Sequence, residues 1–281
     1  MGEQFPAWRP LGIRRLGSVG TDHTIFRIGT HLAARFSRHP GDPGEVRAAL
    51  ESEAAAVREL AGATTFPLPE PIGIGDPGVG YPLPWSVQRW LTGNDATVED
   101  PAGSSAFAED LATLISELRA VDTRGRTFQG GGRGGHLPDH DEWMETCFTR
   151  SEGLLDVAAL RTTWTRLRAL PEVDRHAMCH GDLIPPNLLV REGRLAGVLD
   201  CGGAGPADPA LDLVAAWHVL DDGPRKVLRS ALGCAEVQWL RGMAWAFQQA
   251  MGLVWYYLET NPVMSGIGRR TLDRILGEEP G

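Results

Sequence analysis

His180-Gly181-Asp182-Leu183-Ile184-Pro185-Pro186-Asn187-Leu188-Leu189-Val190, followed after four residues by Leu195-Ala196-Gly197-Val198-Leu199-Asp200-Cys201-Gly202, is the stretch that decides the fold. Two apolar runs, 188–190 and 195–199, flank the charged tetrapeptide Arg191-Glu192-Gly193-Arg194. Short apolar runs around a glycine-bearing turn predict a β-hairpin. Three polar residues frame it. Asp182 and Asn187, five apart, precede the hairpin, and Asp200, 18 beyond Asp182, follows it. An isolated His-Gly-Asp would suit a purely structural hairpin; the full spaced set suits it poorly.

Residues of these types at this spacing fit phosphoryl transfer from a nucleotide. One carboxylate accepts the proton of a hydroxyl, while an amide oxygen and a second carboxylate hold Mg²⁺ on the phosphates. H-x-D-x-x-x-x-N is the spacing of a kinase catalytic loop, and Asp200-Cys201-Gly202 has the form of its metal motif. With Asp208-Pro209-Ala210-Leu211-Asp212-Leu213 further on, the stretch resembles the aminoglycoside phosphotransferase family of small-molecule kinases.

The resemblance implies an α+β, two-lobed, protein-kinase-like fold. Residues 1–92 would form a nucleotide-binding lobe, an antiparallel sheet with one helix. Residues 93–281 would form a larger, mainly helical lobe for catalysis and substrate binding. Asp182 would be the catalytic base and Asn187 and Asp200 the metal ligands. His180 and Asp208 would support the catalytic loop. The cofactors implied are Mg²⁺ and ATP or GTP.

The chain ahead of this stretch fits that plan. Residues 12–16 and 24–28 read as strands around a small, glycine-bearing loop at 17–23. Such a loop can fold backbone N–H groups over phosphates, although an ordinary hairpin has the same composition. By resemblance Ser18, Gly20 and Thr21 would cover the nucleotide. A third strand, 31–36, carries Arg35 where a kinase usually has a lysine; the only lysine is Lys226. Arg keeps the charge but has a different shape. Residues 44–61, dense in Ala, Glu and Leu, read as a helix. Glu53, 18 beyond Arg35, is the chosen partner for that cation, with Glu51 a near competitor. Residues 84–91 read as a strand; it resembles the one entering the linker between lobes, which would put Gln88, Arg89 and Trp90 beside the nucleotide base, although Trp85 and Trp90 read more readily as core.

Leu111, Leu114, Ile115 and Leu118 have helical spacing within 104–120. Residues 125–135, rich in glycine with Arg133 among them, read as a mobile surface loop. Asp141 and Glu142 beside Trp143, and Asp221 and Glu259 further on, are candidates for an acidic wall against a cationic acceptor. The first pair reads as readily as a solvated helix start. Residues 156–170 and the aromatic-rich 238–259 read as helices.

Composition narrows the partners. The 281 residues are 42% hydrophobic, ordinary for a globular chain of this length. No apolar run of membrane length occurs and no secretory leader opens the chain, so a cytoplasmic, membrane-free protein is expected. Cys147, Cys179, Cys201 and Cys234 form no C-x-x-C pair and read as reduced packing residues. A net charge of −9, from 27 basic and 36 acidic residues, argues against a nucleic-acid partner. It would favour a cationic small molecule, and simple solubility accounts for it equally well. The function expected is Mg-dependent phosphorylation of a small hydroxylated acceptor, an aminoglycoside antibiotic by resemblance. Another hydroxylated metabolite, a macrolide, or a non-catalytic nucleotide-binding role remain alternatives.

Overall fold

The computed structural model describes residues 2–17, 23–78 and 80–278. The expected phosphate-covering residues Ser18, Gly20 and Thr21 lie outside these. The amino-terminal part is a five-stranded antiparallel sheet with strand order β1-β2-β3-β5-β4. Its strands are β1 (Ile13–Arg15), β2 (His23–Ile28), β3 (Leu32–Ser37), β4 (Pro71–Gly75) and β5 (Trp85–Arg89), and the helix α1 (Pro43–Leu60) joins β3 to β4. α1 begins where Asp42 accepts hydrogen bonds from the Gly44 and Glu45 amides with Pro43 in the first turn, a strong N-terminal signal. Ile28, Ala34, Trp85 and Val87 form the small core of the sheet, and Phe36 stacks on Trp85 at 4.9 Å.

The remaining elements form a larger helical part. They are β6 (Asn94–Asp95), α2 (Ser105–Arg119), α3 (Asp141–Arg150), α4 (Val157–Leu167), β7 (Ala177–Cys179), β8 (Leu188–Arg191), β9 (Arg194–Val198), β10 (Gly205–Ala207), α5 (Val214–His218), α6 (Asp222–Leu232), α7 (Glu236–Tyr256) and α8 (Pro262–Glu278). The expected hairpin is β8–β9; Glu192 and Gly193 both take positive φ, 56° and 70°, as a tight two-residue turn requires. β6 pairs with β8, so the chain leaving the first sheet docks at once on the hairpin.

α2 buries Leu111, Leu114, Ile115 and Leu118, and Ser104 caps it by accepting from the Phe107 amide. α7 is apolar nearly all round, from Trp239 through Trp245 and Phe247 to Val254, because it runs through the centre of the helical core. Cys147, Cys179 and Cys201 are buried and no disulfide forms among the described residues. Burial lifts the Cys147 thiol to about 11, as befits a packing residue. No described helix is long and apolar enough to cross a membrane.

Candidate active site

The hairpin positions the site. The loop entering β8 carries Asp182 and Asn187, and the turn leaving β9 carries Asp200. Asn187 donates its side-chain amide to the Asp182 carboxylate and to the Asp182 carbonyl, both at 2.9 Å. That fixes Asp182 and leaves the Asn187 carbonyl oxygen as the end suited to a cation. Asp200 has left-handed backbone angles, φ 58° and ψ 43°, a costly conformation for a residue with a side chain. The rest of the turn holds it there. Gly202 follows because a Cβ at that position would meet the Glu53 side chain at 2.6 Å.

Arg35 reaches from β3 to Glu53 of α1 at 3.4 Å and to Asp200 at 3.4 Å. The expected cation, helix glutamate and turn aspartate thus meet in one place, and Glu53 rather than Glu51 is the partner. Gln88 lines a cavity of about 270 Å³ with Arg35, Glu53 and Asp200. Arg89 turns away to an exposed pair with Glu70 at 2.8 Å. Arg27 lies over the Trp90 ring, 4.7 Å from its centroid. The Arg89 and Trp90 amides are already bonded to the Glu70 and His31 carbonyls, so neither N–H is open to a nucleotide base.

Two residues hold the catalytic loop. The His180 ring bonds the Leu199 carbonyl at 2.8 Å through Nε2 and accepts the Asp182 amide at 3.2 Å on Nδ1. Burial disfavours a charged ring, while Cys201, Asp212 and Asp182 favour one. Together those groups push its pKa up to about 9, yet a proton on Nδ1 would face the Asp182 N–H, so this hydrogen bond requires the neutral ring. Asp212 accepts the His180 and Gly181 amides at 2.8 and 2.9 Å. Burial raises its pKa against those two amide bonds. This corrects the role expected of Asp208. Its carboxylate is fully buried against Arg241 at 2.7 Å and the Trp245 indole at 2.7 Å, a core function four residues from the one predicted.

Sequence reading missed two partners of Asp182. Gln249 of α7 donates to it at 2.6 Å, and Arg133 pairs with it at 2.9 Å. His218 lies behind Gln249 at 3.1 Å and Thr271 behind His218 at 2.9 Å, so the glutamine amide is held from the rear. Residues 125–135 are therefore no plain surface loop. Gly134 is buried with φ 108°, and a Cβ there would meet Ala207 at 2.7 Å. Its carbonyl accepts the Asp208 amide at 2.7 Å. The loop walls a cavity of about 800 Å³ that both Asp182 and Asp200 also line.

The four candidates for an acidic wall do not line that cavity. Asp141 is bound by Arg168 and by the Trp164 indole, which together outweigh burial and lower its pKa. Glu142 lines a shallow surface depression on α3. Asp221 precedes α6 and pairs with Arg274 at 2.9 Å, and Glu259 is exposed beyond α7.

A family model fits this picture. The antiparallel sheet with its single helix, set on a larger helical part, defines a kinase-like phosphotransferase fold. A model described as phosphotransferase enzyme family matches residues 12–245, and the chain belongs to that family. Among curated relatives, an aminoglycoside 3'-phosphotransferase of Streptomyces fradiae is 39% identical over 83 residues, 25% of this chain and 31% of the relative's own length. Among solved structures, the GDP and kanamycin complex of APH(2")-IIia superposes with TM-score 0.73 at 18% identity, covering 99% of this chain and 97% of that one. The macrolide 2'-phosphotransferase MphH of Brachybacterium faecium gives TM-score 0.61 at 19% identity, covering 96% and 93%. At such identities the structures establish the fold.

Proposed function

We propose that the protein is a Mg-dependent O-phosphotransferase that moves the γ-phosphoryl group of ATP or GTP to a hydroxyl of a small molecule. The observation that carries this reading is that Asp200 joins two cavities, one lined with it by Arg35 and Glu53 and the other by Asp182, to which Asn187 is bonded. The acceptor oxygen attacks the γ-phosphorus, the bond to the bridging oxygen breaks, and the nucleoside diphosphate leaves. Asp182 orients the hydroxyl and takes its proton as the new bond forms. Arg35 holds phosphate oxygens: its contacts of 3.4 Å are long for charged pairs, so its fork has room for another anion.

The residues suit Mg²⁺. Asn187 and Asp200 offer hard oxygen donors, and Mg²⁺ is usually held by one or two carboxylates with phosphates completing its shell. Among the described residues no cluster of three His, Cys, Asp or Glu side chains could hold a metal unaided. Such a site needs the nucleotide's oxygens. Bound there, the ion neutralises phosphate charge.

The aminoglycoside relatives support an aminoglycoside acceptor, and a net charge of −9 favours a cationic one. A less cationic acceptor such as a macrolide is the second reading. It is favoured because Asp182 and Asp200 are the acids lining the 800 Å³ cavity among the described residues. The test is nucleotide consumption with Mg²⁺ against aminoglycosides, macrolides and amino alcohols, with mass spectrometry of each acceptor. An added phosphate on an aminoglycoside supports the first reading, and on a macrolide alone the second. Nucleotide binding without transfer to any acceptor would leave a non-catalytic nucleotide-binding protein.

A further inference from the structure

A kinase-type site needs positive charge beside the group in flight, because charge spreads over three equatorial oxygens as it transfers. The catalytic loop supplies none: residues 181–190 contain no Lys or Arg. Two other cations near the cleft make their ion pairs away from Asp182. Arg35 sits between Glu53 and Asp200. Arg126 lines the large cavity, but its guanidinium is paired with Glu59 of α1. Arg133 differs. One of its terminal nitrogens donates to Asp182 at 2.9 Å and approaches the Gly181 carbonyl at 3.5 Å. Its Nε is buried with no partner. An unpaired buried donor is costly unless an acceptor arrives. The side chain lines the cavity that Asp182 and Asp200 share.

We propose that Arg133 is a catalytic residue: its guanidinium binds the oxygens of the transferring phosphoryl group, from a loop outside the catalytic motif. This rests on the function proposed above. Gly134 and Gly135 make it possible by letting the backbone beside Arg133 pack flush: a Cβ at Gly134 would meet Ala207 at 2.7 Å, and one at Gly135 would meet Phe128 at 2.7 Å. The fork geometry of arginine suits phosphate oxygens, and its pairing with Asp182 keeps it at the point of reaction.

The test compares the full chain with Arg133→Gln and Arg133→Lys. Steady-state phosphoryl release is measured from Mg-ATP and Mg-GTP, to water and to kanamycin, across pH. The expected result for Arg133→Gln is a kcat plateau lower by about 10²–10³-fold. The KM values for nucleotide and kanamycin would stay within about threefold. Arg133→Lys, which keeps the charge without the fork, should lose about tenfold less, and it carries the test if the glutamine variant folds poorly. Affinity for Mg-GDP with aluminium fluoride, which mimics the group in flight, should fall in both variants, while affinity for Mg-GDP alone holds. An unchanged kcat would overturn the proposal. So would an effect confined to the KM for kanamycin, or a shifted acid limb at an undiminished plateau. A wild-type chain that releases no phosphate from either nucleotide would sink the function itself, and this role with it.

Discussion

Asp182 is held from three directions, by Asn187 of its own loop, Gln249 of α7 and Arg133 of the glycine-rich loop. Three donors on one carboxylate fix its orientation, which is what a base working by position needs. Asp182→Ala should lower turnover by at least about 10²-fold, the ordinary worth of a placed general base, with nucleotide affinity nearly unchanged. Isothermal titration beside steady-state kinetics separates the two, and near-normal turnover would remove Asp182 from the mechanism. Asp200→Ala should weaken Mg-nucleotide binding and turnover together, read by the same pair of measurements. At this scale the sequence was informative wherever partners lie close along the chain or follow a motif. Asp182, Asn187, Asp200, Arg35 and Glu53 all have motif spacing. Arg133 and Gln249 lie 49 and 67 residues from Asp182, in a loop and a helix whose compositions read as surface and core. No spacing rule could find them.

At the scale of the element, the catalytic loop is stabilised mostly by its backbone. Asp212 takes two consecutive amides, and His180 ties the loop to the strand before Asp200. Asp212→Asn keeps the shape but turns one acceptor into a donor, leaving a buried amide unpaired. It should cost about 1–3 kcal/mol by urea unfolding and slow turnover more than it weakens nucleotide binding. Asp208→Asn should instead act on stability, because its partners Arg241 and Trp245 are core residues. The sequence could not separate the two aspartates: both lie in the same short run ahead of α5, and the facing of a 3-10 turn is not written in composition. The hairpin, α1, α2 and α7 were legible from periodicity and turn residues. α8 was not, since Gly266, Gly268 and the pair Arg269-Arg270 obscure its apolar face. β4 was hidden between prolines and glycines.

For the whole molecule, a buried polar network links the site to the helical core. His218 is fully buried between Gln249 and Thr271, and burial first, then Arg133, lowers its pKa to about 3. The unfolded chain would bind a proton there at ordinary histidine values near 6.5. Between the two values the unfolded state holds more protons, so stability falls as pH falls from about 6.5 towards 3. At pH 5 this single group should cost on the order of 2 kcal/mol relative to pH 8. Thermal melts across pH on the wild type and on His218→Gln should show a shallower acid slope in the variant. Arg241→Met strands the Asp208 carboxylate in the core and should cost roughly 3–5 kcal/mol. The sheet part and the helical part also touch, through Glu117 accepting from Thr64 and Thr65 and through Glu59 paired with Arg126.

The central claim is that this cleft transfers the γ-phosphoryl group of a nucleotide, with Asp182 as the base. The most direct measurement is phosphorus NMR of the full chain with Mg-ATP or Mg-GTP and kanamycin or a macrolide, run beside Asp182→Ala. The account predicts a new phosphate-ester signal growing with the nucleoside diphosphate in the wild type, and none on that timescale in the variant. A wild-type spectrum that keeps the triphosphate intact with every acceptor, or a variant that makes the ester at the wild-type rate, would contradict it.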